Sequence, residues 1–100
     1  MTWQVFVTAT AREHLRELEA VLSLPADTRA RVRAIAAKLA EFPELGVPLP
    51  APFATDKMRF ILGPWRWMLI VYRIDTKSNC VFILAIEDAR MLTSVTTKSR

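Results

Sequence analysis

The sequence predicts an α+β domain in which a helical hairpin packs on one face of a curved, mainly antiparallel sheet. A short apolar segment typical of a strand opens the chain, two amphipathic helical patterns follow, and three strand-like segments separated by turn residues complete it. The predicted order is β-α-α-β-β-β, in two layers with four strands. One hundred residues, 52% apolar and 24% charged, suffice for a single domain over residues 1–100 with one hydrophobic core.

The first strand and the first helix are predicted from residues 3–22. Residues 3–8 are β-branched and aromatic, which favours a strand. Thr10 and Glu13 then match a capping box, so the first helix is expected to begin there. Its apolar residues recur at three- and four-residue spacing, which gives the helix one core-facing stripe, formed by Ala11, Leu15, Leu18 and Leu22.

A second helix is predicted after a short break at Pro25. Asp27 or Thr28 can cap it, and its apolar periodicity ends at about Phe42. The short connection predicts an antiparallel hairpin with three arginines on its solvent side, namely Arg29, Arg31 and Arg33. Residues 43–56 contain four prolines and a glycine, so an irregular surface connection is expected there.

Three antiparallel strands are predicted over residues 57–62, 65–75 and 79–87, separated by Gly63-Pro64 and by residues 76–78. In the central strand, one row of side chains alternates with the other across the pleat. The row favoured to contact the helices consists of Trp65, Trp67, Leu69 and Val71. The other row, a candidate open face for a ligand, consists of Arg66, Met68, Ile70, Tyr72 and Ile74.

Charge and apolar runs exclude several classes of protein. Apolar runs such as residues 67–72 are far shorter than a membrane helix of roughly 18 residues, and the N-terminus does not match a secretory signal. Residues 57–100 hold eight Lys/Arg against three Asp/Glu, a net charge of +5, whereas residues 1–56 hold six against seven, a net charge of −1. This asymmetry favours a polyanionic partner, although an ordinary basic surface explains it equally well. A lone Cys80, with no metal-ligand cluster, predicts a cytoplasmic protein without cofactor or metal.

The segments "MRFILGPWRWMLIVYRID" and "VFILAIEDAR", together with the opening Trp-x-Val strand and the connection containing "PLP", resemble the RelE/ParE toxins of bacterial type II toxin–antitoxin systems. The resemblance covers most of the chain and implies a RelE-like fold, a cytoplasmic toxin and a cognate antitoxin that wraps part of its surface in a hetero-oligomer. RelE-like members cleave mRNA on the ribosome, whereas ParE-like members poison DNA gyrase. The fold alone does not choose between these targets.

The same resemblance implies which residues carry out metal-independent RNA cleavage. The positions that match the basic residues of the family are Lys57, Arg59, Arg66 and Arg90. Arg59 and Arg66 flank one predicted hairpin turn, where two guanidinium groups can hold one phosphate. The candidates for contact with RNA are Trp65, Tyr72 and Lys77.

The chain departs from the family at its C-terminus, because residues 91–100 contain neither the tyrosine nor the histidine that usually serves as a late acid or base. Tyr72 is interpreted as a core residue in preference to an RNA contact, and His14 as a structural residue in preference to a catalytic one. Asp88 is expected to cap a helix or pair with Arg90, and Glu87 as a general base is the less favoured alternative.

Three functions therefore stay open. The chain is a ribosome-dependent endoribonuclease, a gyrase inhibitor that acts by protein binding without chemistry, or a module that only engages an antitoxin. The missing C-terminal tyrosine and histidine favour the second. The basic hairpin favours the first, which is the function predicted from the sequence, with gyrase inhibition as the alternative.

Overall fold

The computed structural model describes residues 3–49 and 58–90 of the chain. Two helices lie on a mixed sheet, and a 3₁₀ turn at Pro43–Leu45 follows the second helix. The elements, in chain order, are β1 (Gln4–Val7), α1 (Ala9–Leu22), α2 (Thr28–Glu41), β2 (Val47–Pro48), β3 (Met58–Leu62), β4 (Met68–Asp75) and β5 (Cys80–Asp88).

The sheet has the strand order β1-β5-β4-β3-β2 within the described part of the chain. β1 pairs in parallel with β5, while the other neighbours are antiparallel. The predicted two-layer α+β fold is confirmed, with one strand more than expected. The additional strand is β2, in which Val47 and Pro48 lie opposite Phe60 and Arg59. The expectation of a wholly irregular connection over residues 43–56 is therefore wrong, because proline is tolerated on an edge strand.

The helical hairpin forms where it was predicted, but α1 begins earlier. Thr8, not Thr10, is the N-cap, and its hydroxyl accepts a hydrogen bond of 3.3 Å from the amide of Ala11. The same hydroxyl donates to the carbonyl of Ile83 at 2.8 Å, which ties the start of α1 to β5. Arg29 contacts Glu19 at 3.0 Å across the hairpin. Neither helix, nor any other in residues 3–49 and 58–90, is long and apolar enough to cross a membrane.

The core lies between the helices and one row of β4 side chains. That row is buried and packs with Leu15, Val32 and Leu39 of the helices; it consists of Met68, Ile70, Tyr72 and Ile74. The prediction that the Leu69 and Val71 row faces the helices is therefore wrong. Because both rows are apolar, alternation alone does not identify the buried one.

A bulge in β5 aligns its side chains with this core. Tyr72 lies opposite Ile83 and Val71 lies opposite Ala85, so Leu84 is the extra residue. In a regular strand, residues 83 and 86 point to opposite faces, whereas the bulge brings both Ile83 and Ile86 to the buried face. The helix-facing surface of the sheet is thus continuous across β4 and β5.

The β3–β4 connection is longer than the sequence predicted, because β4 begins at Met68 and not at Trp65. Gly63 donates to the carbonyl of Met68 at 2.7 Å, and the amide of Met68 donates to the carbonyl of Trp65 at 3.0 Å. A Cβ on Gly63 would lie 2.8 Å from the Met68 sulfur, so a side chain at this position would force the Met68 side chain to move. Arg66 therefore lies in an exposed turn and not within the strand.

Candidate functional site

Arg59 is held by the backbone of the chain that follows α2. It lies on β3 opposite Tyr72, on the helix-facing side of the sheet. Its Nη1 donates to the carbonyl of Gly46 at 2.8 Å and to that of Glu44 at 3.3 Å. The Glu44 carboxylate lies 3.9 Å from Nη2. The guanidinium group thus fixes the 3₁₀ turn and β2 to the sheet.

Tyr72 bonds the same segment from within the core. Its side chain is fully buried, in agreement with the favoured prediction, and its hydroxyl donates to the carbonyl of Pro43 at 2.7 Å. The amide of Gly46 donates back to that hydroxyl at 2.9 Å. A Cβ on Gly46 would lie 2.6 Å from the hydroxyl and 2.5 Å from the carbonyl of Phe60, so only glycine fits. We call Tyr72, Arg59 and the Pro43–Gly46 backbone the clamp.

Burial raises the pKa of Tyr72 above its ordinary value of 10.0, although the hydrogen bond from Gly46 and the charge of Arg59 oppose the shift. The phenol is therefore neutral at physiological pH. Its hydroxyl makes both of its hydrogen bonds inside the protein, and the side chain offers no surface to RNA in this conformation.

Arg59 and Arg66 do not lie side by side. Arg59 is opposite Tyr72, which is four residues along β4 from Met68. With a rise of roughly 3.3 Å per residue, this position is about 13 Å from the end of the strand where the turn holding Arg66 begins. The structure therefore does not bring these two guanidinium groups together to share one phosphate.

A row of four side chains, with two tryptophans between two arginines, lies at the turn end of the sheet. The rings of Trp65 and Trp67 are 6.1 Å apart with an interplanar angle of 16°. The guanidinium group of Arg31, from α2, lies over Trp65 at 6.0 Å, and that of Arg90 lies over Trp67 at 4.7 Å. We call these four residues the Trp–Arg ladder. Both tryptophans also pack against the core, while Arg66 between them is exposed.

Asp88 orients Arg90 within this ladder. Its carboxylate is 8% exposed and accepts from both Nε and Nη2 of Arg90, at 3.1 and 3.0 Å. The backbone amide of Arg90 donates to the same carboxylate at 2.9 Å. These bonds raise the pKa of the Arg90 guanidinium. The predicted pairing of Asp88 with Arg90 is confirmed.

His14 and Glu87 lie together beside α1, and not on the ladder. The Nδ1 atom of His14 accepts from the amide of Ile86 at 3.3 Å and is 3.9 Å from the Glu87 carboxylate. They line an apolar groove of about 280 Å³ with the α1 residues Leu18, Val21 and Leu22. The bond of the imidazole to a strand amide that β1 does not reach supports the structural interpretation of His14.

The two lysines among the predicted site residues do not contribute to the ladder as the structure describes it. Lys77 is exposed in the β4–β5 turn, at the opposite end of β4. Its amide donates to the Asp75 carboxylate at 3.1 Å. Lys57 falls outside the described residues, as does the C-terminal segment 91–100. Across residues 3–49 and 58–90, no group of three or more His, Cys, Asp or Glu side chains is placed to hold a metal ion.

A comparison with known protein families identifies the family to which this chain belongs. The model of the ParE toxins of type II toxin–antitoxin systems, parDE, matches residues 5–93. The chain belongs to this family. The predicted resemblance to RelE/ParE toxins is thereby confirmed, and this ParE-family chain is a toxin of a type II toxin–antitoxin system.

Solved structures show the same fold. The RelBE2 toxin–antitoxin complex of Mycobacterium tuberculosis is 27% identical, with a TM-score of 0.69, and the match covers 88% of this chain and 99% of that one. The intact E. coli RelBE complex is 14% identical, with a TM-score of 0.65 and coverage of 87% and 96%. A free-state mutant of E. coli toxin RelE is 15% identical, with a TM-score of 0.64 and coverage of 96% and 93%. No curated protein is significantly similar in sequence.

The sequence did not reveal two structural features of this toxin. Arg31 was assigned to the solvent face of α2, and its contact with Trp65 joins residues from separate elements. Gly46 carried only the weak signal of a lone glycine among prolines. Its role depends on a hydrogen bond to a residue 26 positions later, which no local pattern encodes.

Proposed function

We propose that this ParE-family toxin arrests growth by binding a protein target without catalysing RNA cleavage. DNA gyrase is the target that the resemblance to ParE-like toxins implies. The observation that carries the proposal is the clamp: Arg59 and Tyr72, two of the residues that RNA cleavage or RNA contact would use, are engaged in holding the Pro43–Gly46 backbone.

A nuclease that used Arg59 and Tyr72 for RNA cleavage would have to break the hydrogen bonds that they make to Pro43–Gly46. Cleavage needs a base for the 2′-hydroxyl, cations for the phosphorane and an acid for the leaving oxygen. If Arg59 turned to a phosphate, the carbonyl of Gly46 would lose its charge-assisted hydrogen bond. Tyr72 is buried and its raised pKa disfavours the phenolate. Arg90 donates Nε and Nη2 to the Asp88 carboxylate, so these two donors reach a phosphate only if that ion pair breaks.

A binding mechanism uses the surface without these changes. Tryptophan and arginine are enriched among residues that dominate protein interfaces, and the Trp–Arg ladder places both at one end of the sheet. The structural similarity to RelBE complexes supports a cognate antitoxin that forms a hetero-oligomer with this chain in the cytoplasm. We propose that the toxin is a single domain over residues 1–100.

Ribosome-dependent mRNA cleavage is the second candidate. The observation that favours it is Arg66, which is exposed and has no hydrogen bond or ion pair to residues 3–49 and 58–90, close to Arg90 along the turn end of the sheet. In that case Lys57, Arg59, Arg66 and Arg90 supply the cations, and Trp65 and Lys77 contact the RNA.

One paired assay separates the two candidates. Purified toxin is added to DNA gyrase, with supercoiling and trapped cleavage complexes as readouts, and in parallel to ribosomes that carry a defined mRNA. We expect gyrase to be inhibited and the mRNA to stay intact. Cleavage of the mRNA with unaffected gyrase would reject the proposal in favour of the second candidate. No effect in either assay, together with no growth arrest on expression, would leave an antitoxin-binding module.

A further inference from the structure

The Trp–Arg ladder combines three features that a recognition surface needs: apolar area, cations and fixed geometry. Trp65 and Trp67 are half-buried, so each ring leaves part of its surface at the protein boundary. The side chains of Arg31 and Arg90 are 57% and 59% exposed, although each lies over an indole ring. Arg66 is exposed in the turn between the two tryptophans.

The arginines of the ladder keep hydrogen-bond donors for a partner. Arg31 donates only its Nε–H to the Asp27 carboxylate, at 2.8 Å. Arg90 donates Nε and Nη2 to Asp88. A guanidinium group carries five N–H donors, so each fork retains unused donors after these bonds. Arg66 contacts no carboxylate among residues 3–49 and 58–90. Two carboxylates among three arginines leave the cluster with a net charge of +1.

The cation–π contacts and ion pairs hold two of these forks in place before any partner arrives. An arginine that is already ordered loses less side-chain entropy on binding than a free one. Planar guanidinium forks match carboxylates in bidentate geometry. We propose that the Trp–Arg ladder together with Arg66 docks an acidic segment of the toxin's protein target, whose carboxylates meet the arginines while its apolar side chains cover the indole rings.

The ring geometry favours an acidic protein segment over single-stranded nucleic acid. A nucleobase would stack on the indole faces, but guanidinium groups already lie over both rings and compete for that surface. A carboxylate binds the outer edge of the guanidinium group and leaves the cation–π contact in place. Charge complementarity of this kind steers association, so binding is expected to weaken as salt rises.

The test uses charge reversal with matched controls. The variants of the docking surface, called ladder variants below, are Arg66→Glu beside the ladder and the double variant Arg31→Glu/Arg66→Glu. The controls are Arg33→Glu, which lies on the same helix as Arg31, and the double variant Arg12→Glu/Arg33→Glu. All four change exposed side chains, and each pair changes the net charge equally. Arg66→Lys keeps the charge but removes the planar fork. Thermal unfolding confirms that each variant is folded before binding is measured.

Because the inference rests on the proposed function, the probe is DNA gyrase, and its affinity for the wild-type toxin is measured first. We expect Arg66→Glu to weaken binding about 30-fold, the loss typical of an interface residue worth about 2 kcal/mol. The double variant weakens binding further, Arg66→Lys partly restores it, and the controls stay within about twofold. Poly-L-glutamate competes with gyrase for the toxin, whereas a single-stranded RNA oligonucleotide does not.

Each other outcome decides between the two proposals. If the wild-type toxin binds gyrase and the ladder variants bind equally well, the docking surface is rejected and the proposed function stands. If the wild-type toxin does not bind gyrase, the gyrase proposal fails. Growth arrest on expression of the variants then tests whether the proposed docking surface is used. Ladder variants that arrest growth like the wild type then reject it, while their selective loss of arrest supports it. Competition by RNA without competition by poly-L-glutamate rejects the acidic partner.

Discussion

Replacing Tyr72 with phenylalanine removes one hydroxyl from the clamp and leaves the ring in the core. The hydroxyl makes two buried hydrogen bonds, to the carbonyl of Pro43 and from the amide of Gly46. Each buried group left without a partner costs about 1–3 kcal/mol. We therefore expect the free energy of unfolding to fall by about 2–6 kcal/mol, a large part of the roughly 5–15 kcal/mol that a domain possesses. Urea unfolding followed by circular dichroism measures the change.

The same variant distinguishes a structural from a catalytic tyrosine. A structural role lowers stability and leaves the toxin active wherever it is folded, whereas a catalytic role lowers activity with little change in stability. Ser78→Ala is the matched control, because it removes a hydroxyl that bonds an exposed carboxylate. Its effect is expected within about 0.5 kcal/mol. A loss below about 0.5 kcal/mol for Tyr72→Phe would refute the reasoning, as would strict additivity with Arg59→Met, since both bind Gly46.

Further expectations concern pH, the close turn and the helix start. Because the pKa of Tyr72 is raised, its contribution to the free energy of unfolding is fully present below the unfolded-state pKa near 10 and is lost as pH rises through the folded-state pKa. Tyr72→Phe should lack this alkaline loss of stability in urea titrations. Gly46→Ala places a methyl group against a backbone carbonyl and should lower the melting temperature by more than 10 °C, or about 2 kcal/mol. Thr8→Ala should cost about 1–2 kcal/mol in urea unfolding, through the lost cap and the lost bond to β5. Hydrogen bonding from Ser78 holds the pKa of Asp75 below 3.8, and an NMR titration should find it raised in Ser78→Ala.

The order of elements was predictable because long periodic segments dominate this sequence. The two helical stripes and three β-rich segments each span several turns or pleats, so tertiary contacts do not override them. Element ends were less predictable. Thr8 and Thr10 are equally good caps by residue type, and the bond of Thr8 to β5 selects between them.

The buried face of β4 was not predictable from alternation. Its two rows are both apolar, since the open face of the sheet also carries large side chains, so the pattern lacks the polar row that normally marks solvent. Trp65 and Trp67 favoured the wrong row as the buried one, because they were counted as part of β4. They lie before β4 begins and do not follow its pleat.

The candidate site was predicted by residue type more than by arrangement. Arg66 and Arg90 lie at one end of the sheet, whereas Arg59 and Arg66, which the sequence placed at one turn, lie apart. The bonds of Arg59 and Tyr72 to Pro43–Gly46 depend on a 3₁₀ turn and an adjoining edge strand in a segment whose prolines predicted an irregular connection. Long-range contacts of this kind leave no local signal in a single sequence.

The parallel pairing of β1 with β5 has a consequence for synthesis of the toxin. The hydroxyl of Thr8 bonds a carbonyl 75 residues later, and α1 covers the same last strand. At about 5–20 residues per second, the ribosome makes β5 several seconds after β1. Neither the sheet nor the core beneath α1 can close during that interval. A chain that stops before β5 thus lacks the strand that pairs with both β1 and β4, and we expect premature termination to yield an unfolded fragment instead of a partly active toxin.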